Sequence, residues 1–444
     1  MLKTTIFLLF LILLQGCGSS SSDGTDTTFI PSDNTPDDTT QVTQTTVSRS
    51  SIPMLAVLVS FNNIQISSSL TTWSDKLFGK NEGQLNHYYI QASNANFEFS
   101  PVEDSNGLVS NGTVEVIFNT NHPDTDIDSY LFDSAVHPYL ANSLRIIDRD
   151  TDIDFSNYDT DANGVITPDE LLLTFIIAGY EDSYEGSHVR NGVWAHQSCV
   201  SDTSNIPILD GVKLMSCAGG GNFALFGERH GTVNTHDATI GIIAHELGHS
   251  AFNLPDLYNT ANQYSGGIGV FGLMGAGTWT YKEGDIYPGA TPTHFSAWSK
   301  VYNRWITPKE FTSSSSTTLS ATSSMDYDII KIPINSTSYY LLENRNNSGY
   351  DQGLYTLDGN FRGGIAIWKI DETKLTELNF FNNSVNADTY NKGVDLVEAV
   401  AGDIDSAAGY GDENALYYSG NKNYFLNLVS DISAPGSVMN LTVN

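Results

Sequence analysis

The chain has 444 residues, 40% of them hydrophobic, which is enough for two domains with a core each and excludes a disordered protein. Its formal charge is −31, from 51 acids against 20 bases, although charged residues make up only 16% of it. A surface this poor in Lys and Arg excludes nucleic acid and anionic membrane as partners and suits calcium; a solvated exported protein looks the same.

Lys3 followed by the apolar run 6–14 has the make-up of an export signal, and so short a run cannot span a bilayer. It closes on Leu14-Gln15-Gly16-Cys17, which resembles the bacterial lipobox and marks Cys17 for lipidation. Gly18, rather than Asp, then favours the outer membrane in a Gram-negative host. The expectation is an exported protein held by lipid at the cell envelope, its folded part outside the cytoplasm. Residues 18–50 are nearly all Ser, Thr, Asp, Asn, Gly, Pro and Gln and read as a disordered tether. With Cys17 lipidated, Cys199 and Cys217 remain as a candidate disulfide in an oxidising compartment.

Residues 52–61 (IPMLAVLVSF) read as a buried strand, followed by helices over 69–78 and 83–92. Alternation predicts half-buried strands at 97–102 and 113–119, helical spacing covers 129–147, and 171–178 is another buried strand. A composition shift at 313–318 divides this part from short strands at 329–334, 339–343, 364–370, 394–400 and 424–429. The expected fold class is α+β: a catalytic domain over 51–312 with a mixed sheet and an active-site helix, then a mostly β region over 319–444 packed on it.

His245-Glu246-Leu247-Gly248-His249 is the strongest signal in the chain. Ile240, Ile243, Leu247 and Ala251 recur at helical spacing, with Asp237 or Thr235 as candidate caps. Positions four apart stand one turn apart on the same side, so both imidazoles converge where neutral nitrogens bind zinc. Glu246 then reaches the water activated there and takes its proton, as a general base does in peptide hydrolysis. Catalytic zinc needs a third protein ligand and an open position. Asp256, in the Asn253-Leu254-Pro255-Asp256-Leu257-Tyr258 segment that follows, is the first candidate, and Glu283 is the second. Asn253 suits the left-handed turn between helix and ligand.

These residues resemble the immune inhibitor A family of bacterial metallopeptidases, whose pattern is His-Glu-x-x-His-x-x-Gly-x-x-Asp, often running into Pro-Asp-Leu-Tyr. Two departures stand out: Phe252 occupies the usual glycine position, and Asp256 lies eleven residues from His245 rather than ten. The glycine-rich 267–279 segment looks like the family's methionine turn, carried here by Met274. Segments around Trp194-Ala195-His196, 292–305, 339–345 and 393–399 also look like family scaffold, so the likeness covers about residues 52–430. The resemblance implies a zincin-type zinc endopeptidase acting on extracellular proteins or peptides as a monomer. The rival is a surface lipoprotein binding a protein or glycan partner through the same fold without turnover, against which the intact Glu246 argues. For the oxyanion donor, Tyr258, Tyr281, Tyr302, His230 and His294 all stay open.

Residues 159–170 satisfy the twelve-residue calcium-loop pattern. Asp159, Asp161 and Asn163 supply side-chain oxygens at positions 1, 3 and 5, and Gly164 turns the chain. Val165 offers a carbonyl at position 7 and Glu170 a carboxylate at 12. The expectation is a structural Ca²⁺.

Overall fold

The computed structural model describes residues 50–444 apart from 106–108, 110, 125–131, 262–265, 358, 401–403, 406–408 and 422–426. The export signal, Cys17 and nearly all of the tether lie outside the described residues, as do the start of the 129–147 helix and half of the 424–429 strand.

The first half follows the sequence reading to within three residues at each boundary. Strand β1 (Ser50–Phe61) leads into helices α1 (Leu70–Phe78) and α2 (Leu85–Ala92). Then come β2 (Phe97–Pro101), β3 (Thr113–Phe118), helix α3 (Phe132–Asp150) and β4 (Leu172–Glu181). Ser69 caps α1, its hydroxyl accepting from the Thr72 amide at 3.1 Å. β1 carries an unbroken apolar run because both its faces are covered. Met54, Ala56 and Leu58 face a core shared with α1, α2 and the helix over Ile240–Phe252. Leu55, Val57 and Val59 face a second core shared with α3.

A short helix, α4 (Asp182–Glu185), is followed by β5 (Gly192–Val193), β6 (His196–Ser198) and the hairpin β7 (Ile208–Leu209) and β8 (Val212–Lys213). Strands β9 (Phe223–His230) and β10 (His236–Asp237) lead directly into α5 (Ile240–Phe252). The sheet runs β10-β9-β4-β1-β2, with β3 also on β1. Its central pairs are parallel, whereas β10 and β6 pair antiparallel to β9. β9 was not expected from the sequence. Its apolar stretch is only Phe223–Phe226, after which Gly227, Glu228, Arg229 and His230 erase the strand signature although Glu228 and His230 are buried.

Helix α6 (Ala297–Tyr302) and strand β11 (Lys309–Glu310) lead to the C-terminal region. This holds β12 (Ser315–Ser320), β13 (Ile330–Pro333), β14 (Ser338–Arg345), β15 (Gly364–Asp371), helix α7 (Glu377–Phe381), β16 (Val394–Leu396), β17 (Val429–Ser430) and β18 (Val438–Val443). A five-stranded sheet, β11-β13-β14-β15-β16, stands beside a three-stranded β12-β18-β17 sheet. The Ser/Thr stretch read as a divide is thus itself a strand, β12, paired antiparallel along its length with β18; β-branched Thr suits that pleated, half-exposed place. Trp368, Ala366 and Leu341 of the larger sheet belong to the same core as Ile243 and Leu247 of α5. The fold is mixed α and β. Among the described residues no helix is long and apolar enough to cross a membrane.

Candidate metal centre

Helix α5 starts at Thr239, whose side chain makes no capping bond to the helix and instead donates to the Pro288 carbonyl at 3.0 Å. The expected caps are elsewhere: Asp237 sits in β10, and Thr235 donates to Gly231. The helix stops at Asn253, which takes the left-handed conformation (φ 50°) and returns its amide to the Gly248 and His249 carbonyls. That reversal carries Asp256 back over the last turn of the helix.

The result is convergence. His245 Nε2 lies 3.1 Å from His249 Nε2, and Asp256 Oδ1 lies 3.0 Å from the first and 3.3 Å from the second. The other imidazole nitrogens are occupied. His245 Nδ1 is 3.0 Å from the Leu273 carbonyl and 3.0 Å from Thr278 Oγ1, and the Thr278 hydroxyl itself donates to Leu273. His249 Nδ1 is 2.6 Å from the Leu254 carbonyl. A carbonyl only accepts, so both Nδ1 atoms carry the proton, and both neutral rings present a bare lone pair at Nε2. Two lone pairs and a carboxylate oxygen facing one point repel one another unless a positive charge stands among them. The direction of proton affinity shows the same demand for positive charge: burial would lower His249, but the Asp256 carboxylate outweighs burial and pushes it up to about 9, so a proton at Nε2 and a metal ion compete for this place. For Asp256, burial would raise the carboxyl, and the two histidines instead hold it well below the usual carboxylate range. Four-coordinate zinc with bonds of about 2.0–2.1 Å separates its ligand atoms by roughly 3.3 Å, so the three atoms fit such an ion in number, chemistry and spacing.

Glu246 is 4% exposed on the same helix, and burial raises its carboxyl before its neighbours are counted. The glycine-rich segment lies directly beneath. A Cβ at Gly248 would stand 2.7 Å from Met274 Sδ, so glycine is what lets Met274 pack under the second histidine turn. Glu283 is exposed and outside the cluster formed by His245, His249 and Asp256.

The open choice of oxyanion donor narrows. Tyr258 gives its hydroxyl to Asp256 Oδ2 at 2.8 Å, and His230 and His294 are fully buried. Tyr281 lies in a loop against Thr356, with its amide on the Thr356 hydroxyl. Tyr302 is 41% exposed, and it and Tyr281 remain. His196 sits on β6 with Nδ1 on the Trp194 carbonyl at 2.8 Å, close enough to Glu246 for the two groups to feel each other's charge. A cavity of about 460 Å³ opens beside the N-terminal end of α5, between Lys76, His236 and Lys282, away from the triad.

Asp159, Asp161 and Glu170 also draw together, their oxygens within 4.8 Å of one another. Gly164 turns at φ 80°. The Asn163 amide donates to Asp159 and Asp161, and Asn163 Oδ1 accepts the Val165 amide. The bridge to Lys213 uses the Ile166 amide and the Gly164 carbonyl, which leaves the Val165 carbonyl on the loop side. Glu170 Oε1 accepts from Thr160 and Asp161, and Oε2 from Thr167. Cys199 and Cys217 are joined as a disulfide.

Sequence reasoning missed the groups behind the ligands. Thr278 and the Leu273 carbonyl lie in the 267–279 segment, where only Met274 was singled out, and Asn383, which bonds to Asp256, is 127 positions away from it.

Comparison with known proteins fits this geometry. The chain is similar to the pre-pro-metalloprotease PrtV of Vibrio cholerae, 27% identical over 248 residues that make up 51% of this chain and 25% of that protein. It is 31% identical over 155 residues to immune inhibitor A of Bacillus thuringiensis subsp. alesti, covering 33% of this chain and 21% of that one. The chain thus spans about a quarter or less of the length of these relatives. The crystal structure of wild-type OgpA from Akkermansia muciniphila aligns over 74% of this chain and 87% of that chain, at 13% identity and a TM-score of 0.29, too slight a likeness to carry an argument. The sequence model described as "Immune inhibitor A peptidase M6, catalytic domain" matches residues 62–307, more than half of the chain and all of the metal-centre motif. By that match the chain belongs to the immune inhibitor A family of M6 peptidases.

Proposed function

We propose that this chain is a zinc-dependent endopeptidase that hydrolyses peptide bonds of proteins outside the cytoplasm. One observation carries the reading: His245 Nε2, His249 Nε2 and Asp256 Oδ1 converge within 3.3 Å of one another, with both Nδ1 atoms turned to carbonyls, beside the buried carboxylate of Glu246. Those three residues would hold the ion. When bound, zinc supplies Lewis acidity that polarises a carbonyl and acidifies a water.

The rest of the chemistry belongs to the chain. Glu246 takes a proton from the attacking water as its oxygen bonds to the peptide carbon, then returns that proton to the nitrogen as the C–N bond breaks. Burial raises its carboxyl, which suits a group that must both accept and release a proton. Thr278 and the Leu273 and Leu254 carbonyls fix the two ring tautomers, keeping Nε2 bare in both. Glu246→Gln is expected to keep stoichiometric zinc and to lose nearly all hydrolysis of an unfolded protein substrate. A Gln variant that cleaves like the unsubstituted protein removes the reading.

Three further proposals attach to it. The 51–312 part is the catalytic domain, with the 319–444 region packed against it. The 159–170 loop holds a structural Ca²⁺ through Asp159, Asp161, Asn163, Val165 and Glu170, supported by the convergence of its carboxylates. The protein is anchored by lipid on Cys17 at the bacterial envelope and works as a monomer, supported by the lipobox-like sequence alone. A fatty-acid label that enters the protein equally well in Cys17→Ser would remove the anchor.

A further inference from the structure

Asp256 is gripped from a distant part of the chain. Oδ1 faces the two histidines, while Oδ2 accepts from the Tyr258 hydroxyl at 2.8 Å and from Asn383 Nδ2. The Asp256 amide, in turn, donates to Asn383 Oδ1 at 3.0 Å. One amide side chain therefore both donates to and accepts from one residue, which fixes the backbone position and the carboxylate rotation together. Asn383 follows α7 in the left-handed conformation, at φ 49°, a place that asparagine occupies more readily than most residues.

The neighbouring residues dock in register. Thr260 donates to the Asn383 carbonyl at 2.7 Å, Asn386 donates to the Leu257 carbonyl at 2.9 Å, and Asn259 donates to Thr389 Oγ1 at 2.7 Å. These bonds hold the ligand turn; of these C-terminal residues Asn383 is the one that bonds to Asp256 itself, beside Tyr258 from the turn.

We infer that Asn383 is a positioning residue for the metal centre. By occupying Oδ2 it turns Oδ1 toward the histidines as a single-oxygen ligand, so a residue of the C-terminal region sets the affinity of a site built in the catalytic part. The physical cause is pre-organisation: a carboxylate free to rotate must be ordered when the ion binds, and a second donor on Oδ2 has already ordered it. This inference rests on the reading that His245, His249 and Asp256 hold zinc.

The test is zinc affinity of the full chain, measured by competition with a chromophoric chelator, together with the visible absorption of the cobalt(II)-loaded protein. Asn383→Gly keeps the left-handed backbone without strain and deletes both bonds to Asp256. It is expected to weaken zinc binding about 10–100-fold and to change the cobalt spectrum. Thr389→Ala loosens the same docking without touching Asp256, and its zinc affinity and cobalt spectrum should match those of the unsubstituted protein. Should Asn383→Gly not fold, Asn383→Ser, too short to make both bonds, is read in the same way. Unchanged affinity in the folded Asn383 variant overturns the inference, as does an equal loss in Thr389→Ala. If the unsubstituted protein itself binds no zinc, the reading of the metal centre falls first and takes this inference with it.

Discussion

Two of the buried acid clusters among the described residues are satisfied differently. In the junction between the catalytic part and the C-terminal sheet, Asp351 and Glu343 are wholly buried, and so is the cation they share. Arg345 Nε donates to Asp351 Oδ2 at 2.7 Å, Nη2 also reaches Asp351, and Nη1 stands 3.5 Å from Glu343. Lys300, 1% exposed, lies 3.2 Å from Glu343, with Trp368, Tyr327 and the Ala297 amide as further donors. Around Asp256 the surroundings are as buried, yet among the described residues no Lys or Arg pairs with it: Oδ2 takes neutral donors from Tyr258 and Asn383, and Oδ1 faces two imidazoles whose Nδ1 protons are turned to carbonyls. The first cluster is complete as folded. The second is complete only with a cation from outside, and that contrast separates a structural acid cluster from a metal centre more sharply than a count of acids does.

The way to break the contrast at its strong end is to take the internal cation away. Arg345→Met leaves Asp351 and Glu343 buried with one partner fewer and is expected to destabilise by about 3–5 kcal/mol in denaturant unfolding. A loss under about 1 kcal/mol would mean that Lys300 and the neutral donors suffice, and the two clusters would differ less than stated. The pH response sharpens the point. Burial alone would raise the Asp351 carboxyl, but Arg345 outweighs it and holds the group well below its ordinary 3.8. A depressed carboxyl contributes stability that is present above the unfolded value and is lost as pH falls through the folded one. The unsubstituted protein should therefore hold this contribution at pH 5–7 and lose it below about 4. In Arg345→Met burial of Asp351 is opposed mainly by the Thr293 and Thr322 hydroxyls, so the variant's deficit should shrink as pH falls from 7 toward 4; a deficit constant over that range would place the cost elsewhere.

How far the sequence spoke follows from how local each feature is. His245, Glu246, His249 and Asp256 fall within one helix and its reversing turn, so spacing alone brought them together, and the left-handed Asn253 was readable as the pivot. β1 and β4 were legible because strands buried on both faces cannot hide polar residues. β9 and β12 were not, since one ends in buried Glu228 and His230 and the other is almost all Ser and Thr, and their partners β4 and β18 lie far off in sequence. The capping reading of Asp237 failed because β10 claimed that residue first. Arg345 ends a stretch that read as scaffold, and Asp351 and Asn383 lie in stretches with no motif at all. Their roles depend on where the C-terminal sheet docks, which no local pattern encodes.

The 159–170 loop, proposed above to hold calcium, gives the mildest form of the comparison. Like the metal centre, it gathers carboxylates with no Lys or Arg ion pair among the described residues; unlike it, the loop is only partly buried, and Glu170 is already engaged by Thr160, Asp161 and Thr167. Water screens Asp159 and Asp161 in a way it does not screen Asp256, so the demand for an ion is weaker and the apo loop can persist by its own hydrogen bonds. Sites of this kind in extracellular proteins bind with Kd of about 10⁻⁴–10⁻³ M. Calcium tenfold above Kd then stabilises by about 1.4 kcal/mol, seen as a rise of a few degrees in the melting temperature of zinc-loaded protein. Glu170→Gln removes one charge and should abolish that rise while leaving zinc affinity unchanged. A melting temperature indifferent to calcium in the unsubstituted protein would mean that the loop's own amides meet its charge in full, and that it belongs with the self-sufficient cluster around Arg345 rather than with the metal centre.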